Sequence, residues 1–334
     1  MRTVLLAGLC LAGCVATPGP AREQAPEPVV TQPWDAAVFG TYDKAAFSRL
    51  FTEIGGYSIV SDDAGTMVLQ QNGQGAKIVL EEKPATAPQA RPPDAQSWEP
   101  GCYWSLMMRA KDIPSIVEDA RPLGWEPRTE VAYLEFGPSQ LNIVVLTHQA
   151  TGAQVQLYER LTTPLPEGYP KFERFGVPFN IMQMSSDRDA TYRFFTEELG
   201  FATFYHGEPS VSDKPEVMPL GIPVELTTTV PYRASIVSPE PGMETGRFEM
   251  IEVMGAEAGL VGRNFKDRCS AAAVGLTRVE YHDVDLAAWE RAIGDNTGEY
   301  GVVVQRLPRA NEPQEIVRTV VAPDGASIAF GSPL

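Results

Sequence analysis

The sequence predicts an α+β chain built from four βαβββ modules. Three observations carry that prediction. Asn180 to Phe201, NIMQMSSDRDATYRFFTEELGF, reads as strand, turn, helix and stop. The same grammar returns along the chain, with Asp43 to Gly56 and Asp187 to Gly200 each spanning thirteen positions and Asp112 to Gly124 twelve. An aromatic follows each of those glycines (Tyr57, Trp125, Phe201), and strand-like runs follow each aromatic. A repeated unit of this size, unable to bury its apolar face alone, implies pairing of modules.

Module one (34–82) starts with the strand AAVFGTY. Asp43 is placed to cap KAAFSRLFTEIG, whose Phe47, Leu50, Phe51 and Ile54 share one face. YSIVS, TMVLQQ and AKIVLEE read as strands. A Pro-rich break over 83–100 precedes module two (101–162), which offers CYWSLMMRA, a helix IPSIVEDARPLG behind Asp112, and the strands VAYLEFG, LNIVVLT and AQVQLYER. Pro114 is tolerable there because the first N–H groups of a helix are unpaired anyway. A second break over 162–178 precedes module three (177–255). Asp187 caps its helix, Phe194, Phe195 and Leu199 form the apolar face, and Gly200 ends it. ATFYH, VELTTTV, YRASIVS and RFEMIEV are its later strand candidates. Module four (270–334) has GLTRVEYHDVD, a helix LAAWERAIG capped by Asp283 or Asp285, and the strands GEYGVVVQRL, EIVRTVVA and ASIAFG. Its helix stop is degenerate, with Asp295 after Gly294. Grouping consecutive modules gives domains over 34–162 and 177–334, but the order in which modules pair is open.

The 334 residues are 43% hydrophobic and 21% charged, ordinary for globular domains. A net charge of −16 argues against nucleic acid or anionic lipid as the main partner. The start, MRTVLLAGLCLAGC, has one Arg and an apolar run of signal-peptide length, too short to span a bilayer. Its Leu11-Ala-Gly-Cys14 resembles the lipobox of bacterial lipoproteins. The resemblance implies a signal peptide over 1–13, lipidation of Cys14, a Pro-rich tether over 14–33, and residence on the periplasmic side of the outer membrane through the lipid anchor alone. Cys102 and Cys269 remain in the mature chain. They either pair in that oxidising compartment or sit as two separate buried thiols.

Paired βαβββ units resemble the vicinal oxygen chelate superfamily, which includes glyoxalase I, epimerases, extradiol dioxygenases and bleomycin-resistance proteins. The residues that carry the likeness are Ser186–Phe201, Gly246–Val253, Val155–Arg160 and Ala322–Phe330. The resemblance implies two half-open barrels, each a concave cup. It also implies one divalent metal at a cup floor, held by His, Gln or Glu from the first and last strands of each module. Counting back from the strand-end Asp puts those positions at Ala36, Ser105, Asn180 and Leu276 on the first strands. On the last strands they fall at Val79, Gln156, Glu249 and Ala329. Only Gln156 and Glu249 are plausible ligands, and consecutive pairing puts them in different cups. The chain's three histidines, His148, His206 and His282, miss the ligand positions.

No metal or other cofactor is therefore expected. Asn180, Met182, Met184, His206, Gln156 and Glu249 are the candidate ligand-binding residues, with Glu249 also a candidate base if an apolar surround raises its pKa. There is no phosphate loop, CxxC, HExxH or GxSxG. The reading is an envelope lipoprotein whose cup binds a small molecule or presents a surface to an envelope protein. The alternatives are a metal-dependent enzyme of the superfamily, which needs three N or O ligands converging in one cup, and a purely structural protein with filled cups.

Overall fold

The structure is a computed structural model that describes residues 28–136, 138–293, 303–307 and 315–333. The signal peptide, Cys14, the first part of the tether, the Gly294-Asp295 helix stop and the start of GEYGVVVQRL lie outside those residues. Among the described residues no helix is long and apolar enough to cross a membrane.

Module one contains β1 (Ala36–Thr41), α1 (Lys44–Arg49), β2 (Ser58–Asp63), β3 (Thr66–Gln71) and β4 (Gln74–Glu82). Module two contains β5 (Tyr103–Ala110), α2 (Ile113–Ala120), β6 (Trp125–Pro127), β7 (Ala132–Phe136), β8 (Ser139–His148) and β9 (Gln154–Arg160). Module three contains β10 (Phe175–Met184), α3 (Arg188–Arg193), β11 (Ala202–His206), β12 (Tyr232–Ser238) and β13 (Arg247–Val253). Module four contains β14 (Gly275–Tyr281), α4 (Leu286–Ile293), β15 (Val303–Leu307), β16 (Glu315–Val321) and β17 (Ser327–Pro333).

The capping chemistry follows the sequence in three modules. Asp43 accepts from the Ala46 N–H at 2.9 Å, Asp187 from Ala190 at 3.0 Å, and Asp285 from Ala288 at 2.9 Å. Asp285 is thus the cap of α4, and Asp283 is not. Asp112 departs from the pattern. It takes a left-handed conformation, makes no side-chain cap, and its N–H donates to Glu159 Oε1 at 2.6 Å. β10 begins at Phe175, inside the expected break. Pro178 sits at a register irregularity, where a missing N–H is tolerated. The VELTTTV segment is not a strand. Val224–Leu226 is a single tight turn inside a long excursion between β11 and β12. Pro215, Pro219, Pro223 and Pro231 deny that stretch a ladder of donors, although its threonines have strand propensity.

Each module orders its strands with the first beside the last and parallel to it. The modules then join through their first strands. β1 pairs antiparallel with β14, giving an eight-stranded sheet in the order β15-β16-β17-β14-β1-β4-β3-β2. β5 pairs antiparallel with β10, giving a nine-stranded sheet, β11-β12-β13-β10-β5-β9-β8-β6, with β7 beside β8. Neither path closes. Module one therefore pairs with module four and module two with module three, so the sheets do not follow the consecutive domains 34–162 and 177–334. All four first strands are buried on both faces, so no exposed face marks which edge each one pairs through.

Close packing supports the choice that the chain makes. A side chain at Gly40 would strike the Ala273 carbonyl, so glycine lets the module-four link approach β1. One apolar core, with residues from all four modules, lies between the sheets and holds the helices. Phe47 and Phe51 of module one meet Trp125 of module two at 5.0 and 6.4 Å. Asp324 of module four accepts from the Ser186 and Thr191 hydroxyls of module three at 2.7 and 2.8 Å. Cys102 and Cys269 are joined in a disulfide across 167 positions, with Cα atoms 5.2 Å apart.

The bridge ties the start of β5 to the link between modules three and four, closing a long loop. Its removal by Cys102→Ser with Cys269→Ser should lower stability by about 2–5 kcal/mol in urea titrations. An unchanged midpoint and slope would show that the bridge does not constrain the unfolded chain.

Candidate functional site

The sheet of modules two and three turns one face to the common core. The other face is a cup, floored by alternate residues of its four central strands. Ser105, Met107 and Arg109 project from β5, and Gln156 and Tyr158 from β9. Asn180, Met182 and Met184 come from β10, and Glu249 and Ile251 from β13. The strand period of two places them on one side, while Leu106, Met108, Ile181, Phe248 and Met250 enter the core.

The register unites four positions that the sequence put in separate domains. Ser105 stands opposite Met182, and Asn180 opposite Met107, across the β5–β10 pair. Met107 pairs with Gln156, and Met182 with Glu249. Ser105 donates to Gln156 Oε1 at 3.2 Å, and the Gln156 amide donates to the Tyr158 hydroxyl at 2.8 Å. The Asn180 amide donates to Glu249 Oε2 at 2.9 Å, leaving Asn180 Oδ1 buried with no partner. Burial raises the Glu249 carboxyl to about 7, against the opposing effect of the Asn180 bond.

The same rule corrects module four. In the other modules the first-strand position lies two residues before the partner of the last-strand position. Ala329 pairs with Glu280, so the equivalent residue is Arg278 and not Leu276. The count to Leu276 runs from Asp283; taken from Asp285, the residue that caps α4, it lands on Arg278. The cup of modules one and four thus presents Ala36, Val79, Arg278 and Ala329. Arg278 is ion-paired with Glu81 and Glu280, beside an apolar patch of Ala36, Val38, Val68 and Val79.

The other three candidate residues divide between the two faces. Met182 and Met184 lie in the cup of modules two and three with Trp104, Met107, Phe179 and Ile251. His206 does not. It pairs with Ser235 on the opposite face, where its Nδ1 lies 2.8 Å from the Ser235 hydroxyl, and its ring packs on Tyr192 at 4.2 Å. Burial and the adjacent Arg188 lower its pKa. His148 is packed against Phe47 and Trp125, with burial lowering it to about 4. His282 lies between Glu280 and Glu315, which outweigh burial and lift it to about 9.

Sequence reasoning missed two parts of the site. One is a roof. The excursion between β11 and β12 sends Leu220, Ile222 and Val230 into the same apolar cluster as the cup walls, with Leu226 beside them. The roof packs on the cup walls but does not bury every cup residue. Glu249 and Tyr158 keep partial solvent accessibility although protein surrounds both, and Tyr232, Ala234 and Ile236 are only partly buried. The other is Arg109, which is 8% exposed. Its guanidinium lies 4.1 Å from the Phe179 ring centre and 5.9 Å from that of Tyr158. Its Nε has no partner; the guanidinium hydrogen-bonds the Tyr169 hydroxyl and feels the Glu244 carboxylate, but among the described residues no carboxylate forms an ion pair with it. Burial, with Arg160 nearby, lowers it to about 10. The alternation Ser105-Met107-Arg109 was the available signal.

The floor does not suit a borderline divalent metal. It offers one carboxylate, two amides and a hydroxyl, and no imidazole or thiolate. The Gln156 oxygen already accepts from Ser105, and one Glu249 oxygen from Asn180. Among the described residues no three His, Cys, Asp or Glu side chains cluster as a metal site.

The α+β architecture of paired βαβββ modules defines a protein of the vicinal oxygen chelate fold, with two such units in tandem. Maize glyoxalase I is similar over 90% of this chain and 92% of its own, at 14% identity and a TM-score of 0.57. A point variant of the maize enzyme, at the same identity and coverage, gives 0.58. A Bacillus subtilis protein described as a candidate dioxygenase is similar over 91% of this chain and 86% of its own, at 11% identity and a TM-score of 0.50. No family model matches the sequence, and no curated protein does.

A raised Glu249 carboxyl makes a signed prediction. The neutral form is favoured in the folded state, so its contribution is fully present below the ordinary carboxylate value of 4.5 and is lost as pH rises through about 7. The stability of Glu249→Gln relative to wild type should therefore rise between pH 4.5 and 7, by about 3 kcal/mol at most, and then level off. A difference independent of pH would place Glu249 in contact with bulk water.

Proposed function

We propose that the cup of modules two and three is a metal-free binding site for a small organic anion, carried by a lipoprotein of the bacterial envelope. The buried Arg109 on the cup face, with an open Nε and no ion-paired carboxylate among the described residues, carries this reading. An aromatic-stacked guanidinium out of reach of bulk water is stabilised by an anionic ligand group, which it binds through paired N–H donors. Phe179, Met107 and Tyr158 then contact an apolar body. Arg109 pairs in register with Tyr158, two residues beyond Gln156, so the anionic end binds about 7 Å from the floor.

At the floor, Asn180 Oδ1 accepts a hydrogen bond from the ligand. Glu249, titrating near neutrality, either donates or accepts one. Such a site is concave, mostly apolar and fitted with few polar groups, as small-molecule sites are. The Cys102–Cys269 bridge supports an oxidising compartment, and Leu11–Cys14 supports a lipid anchor there. Metal-dependent chemistry of the fold's enzymes is the competing reading, and the donor set at the floor weighs against it. A purely structural role is opposed by the partly open cup.

Two fluorescent probes separate these readings. Anilinonaphthalene sulfonate, apolar and anionic, should bind at one per chain, and neutral Nile red should also bind. Ala234→Trp, which fills the cup, should abolish both. Arg109→Met should weaken the anionic probe about 10-fold or more, as loss of a charged hydrogen bond of about 1.5–3 kcal/mol implies, and spare Nile red. Probe binding that survives Ala234→Trp would refute the cup. A stoichiometric divalent metal in protein purified without chelator would refute the metal-free reading.

A further inference from the structure

A second cavity, of about 280 Å³, lies outside the cup. Pro93 and Gln96 of the first inter-module link line it, with Glu126, Pro127 and Arg128 at the end of β6, Thr147 and Gln149 at the end of β8, and Gly221 of the roof. Its walls carry polar groups without partners. Thr147 is 3% exposed, and its Oγ1 bonds to nothing in the protein. Arg128 Nε is likewise buried and unpaired. A Cβ at Gly221 would come within 3.2 Å of that nitrogen, so glycine keeps this side of the guanidinium open.

The charges behind the wall do not balance. Arg91 and Arg128 both stack on Trp104, at 4.9 and 4.6 Å. Arg91 is satisfied only by the carbonyls of Gly101 and Gln96, and Arg128 by the Ala95 carbonyl and Gln96 Oε1. The two nearby acids, Glu99 and Asp94, are engaged by Arg263. Glu126, on the cavity rim, pairs with Arg121. The buried Arg91 and the partly buried Arg128 thus form no ion pair with a carboxylate among the described residues, although Glu99 acts on both from a distance. Burial lowers Arg91 to about 9, with Arg128 adding to it, and lowers Arg128 to about 10. An unneutralised buried charge of this kind is stabilised by a bound counter-charge.

We infer that this cavity is an oxyanion site, separate from the cup, that takes the carboxylate or phosphate group of a small free ligand. Arg128 Nε–H, the Thr147 hydroxyl and the Gln149 amide are its donors. The volume suits a small acid rather than a polymer segment. Gln149 and Gln96 Nε2 already donate to the Thr147 and Asp94 carbonyls, which sets their orientation at the rim.

Calorimetric titration of the soluble chain with malonate and with inorganic phosphate, using glycerol as the uncharged control, tests this. At least one anion should bind with a dissociation constant in the low millimolar range or tighter, and glycerol should not. The tighter of the two identifies carboxylate or phosphate as the preferred group. Thr147→Val, which removes only an unpaired hydroxyl and should leave folding intact, should weaken binding at least five-fold. Gly221→Ala should do the same by closing the open side of Arg128. Arg109→Met should leave it unchanged. Absence of heat with both anions, indifference to Thr147→Val, or loss only in Arg109→Met would overturn the assignment. The last result would move the anion to the cup and leave the cup reading standing.

Discussion

The site depends on one backbone pairing, the antiparallel ladder between β5 and β10. That ladder joins module two to module three, so Ser105 and Gln156 share a floor with Asn180 and Glu249. A shift of one residue in either strand would turn Met182 and Met107 into the core and bring Ile181 and Leu106 into the cup. The roof adds the second condition. Leu220, Ile222 and Val230 join the apolar cluster of the cup walls, and Glu249 is left only partly exposed. Its carboxyl consequently titrates near neutrality.

The two cups diverge in chemistry from the same architecture. In the cup of modules one and four the corresponding positions are mostly apolar, and the cation among them, Arg278, is held by Glu81 and Glu280. In the cup of modules two and three the cation Arg109 has aromatic neighbours and no ion-paired carboxylate among the described residues. An ion pair within a cup leaves no charge for a ligand. A cation stacked on Phe179, bonded to the Tyr169 hydroxyl and free of a direct ion pair among the described residues, keeps charge for a ligand. The contrast is the reason for proposing the binding chemistry in one cup of a chain whose overall charge is strongly negative.

Much of the fold was legible because its signals are local. The Asp caps, the glycine stops and the buried aromatics Tyr57, Trp125 and Phe201 each act within one module, and the structure keeps them. The pairing of modules was not legible. Four first strands buried on both faces carry no label for their neighbours, and the features that choose among them are contacts between distant residues such as Gly40 with Ala273 and Asp324 with Ser186. That gap split the candidate site, since Gln156 and Glu249 were assigned to different cups. Asn180, Met182, Met184, Gln156 and Glu249 come together once β5 meets β10. His206 drops out because its strand parity turns it to the helix side. Arg109 was readable from strand alternation, but the roof was masked by threonines that have strand propensity.

Methyl resonances of the methionines test the central claim directly. Met107, Met182 and Met184 line the cup, while Met67, Met108 and Met250 lie in the common core. The protein would carry ¹³C-labelled methionine methyls and be titrated with 4-phenylbutyrate, an apolar carboxylate. Saturable shifts confined to the three cup methyls are the predicted result. Shifts in the core methyls with the cup methyls unmoved, or no saturable shift in any, would contradict a ligand-binding cup between modules two and three.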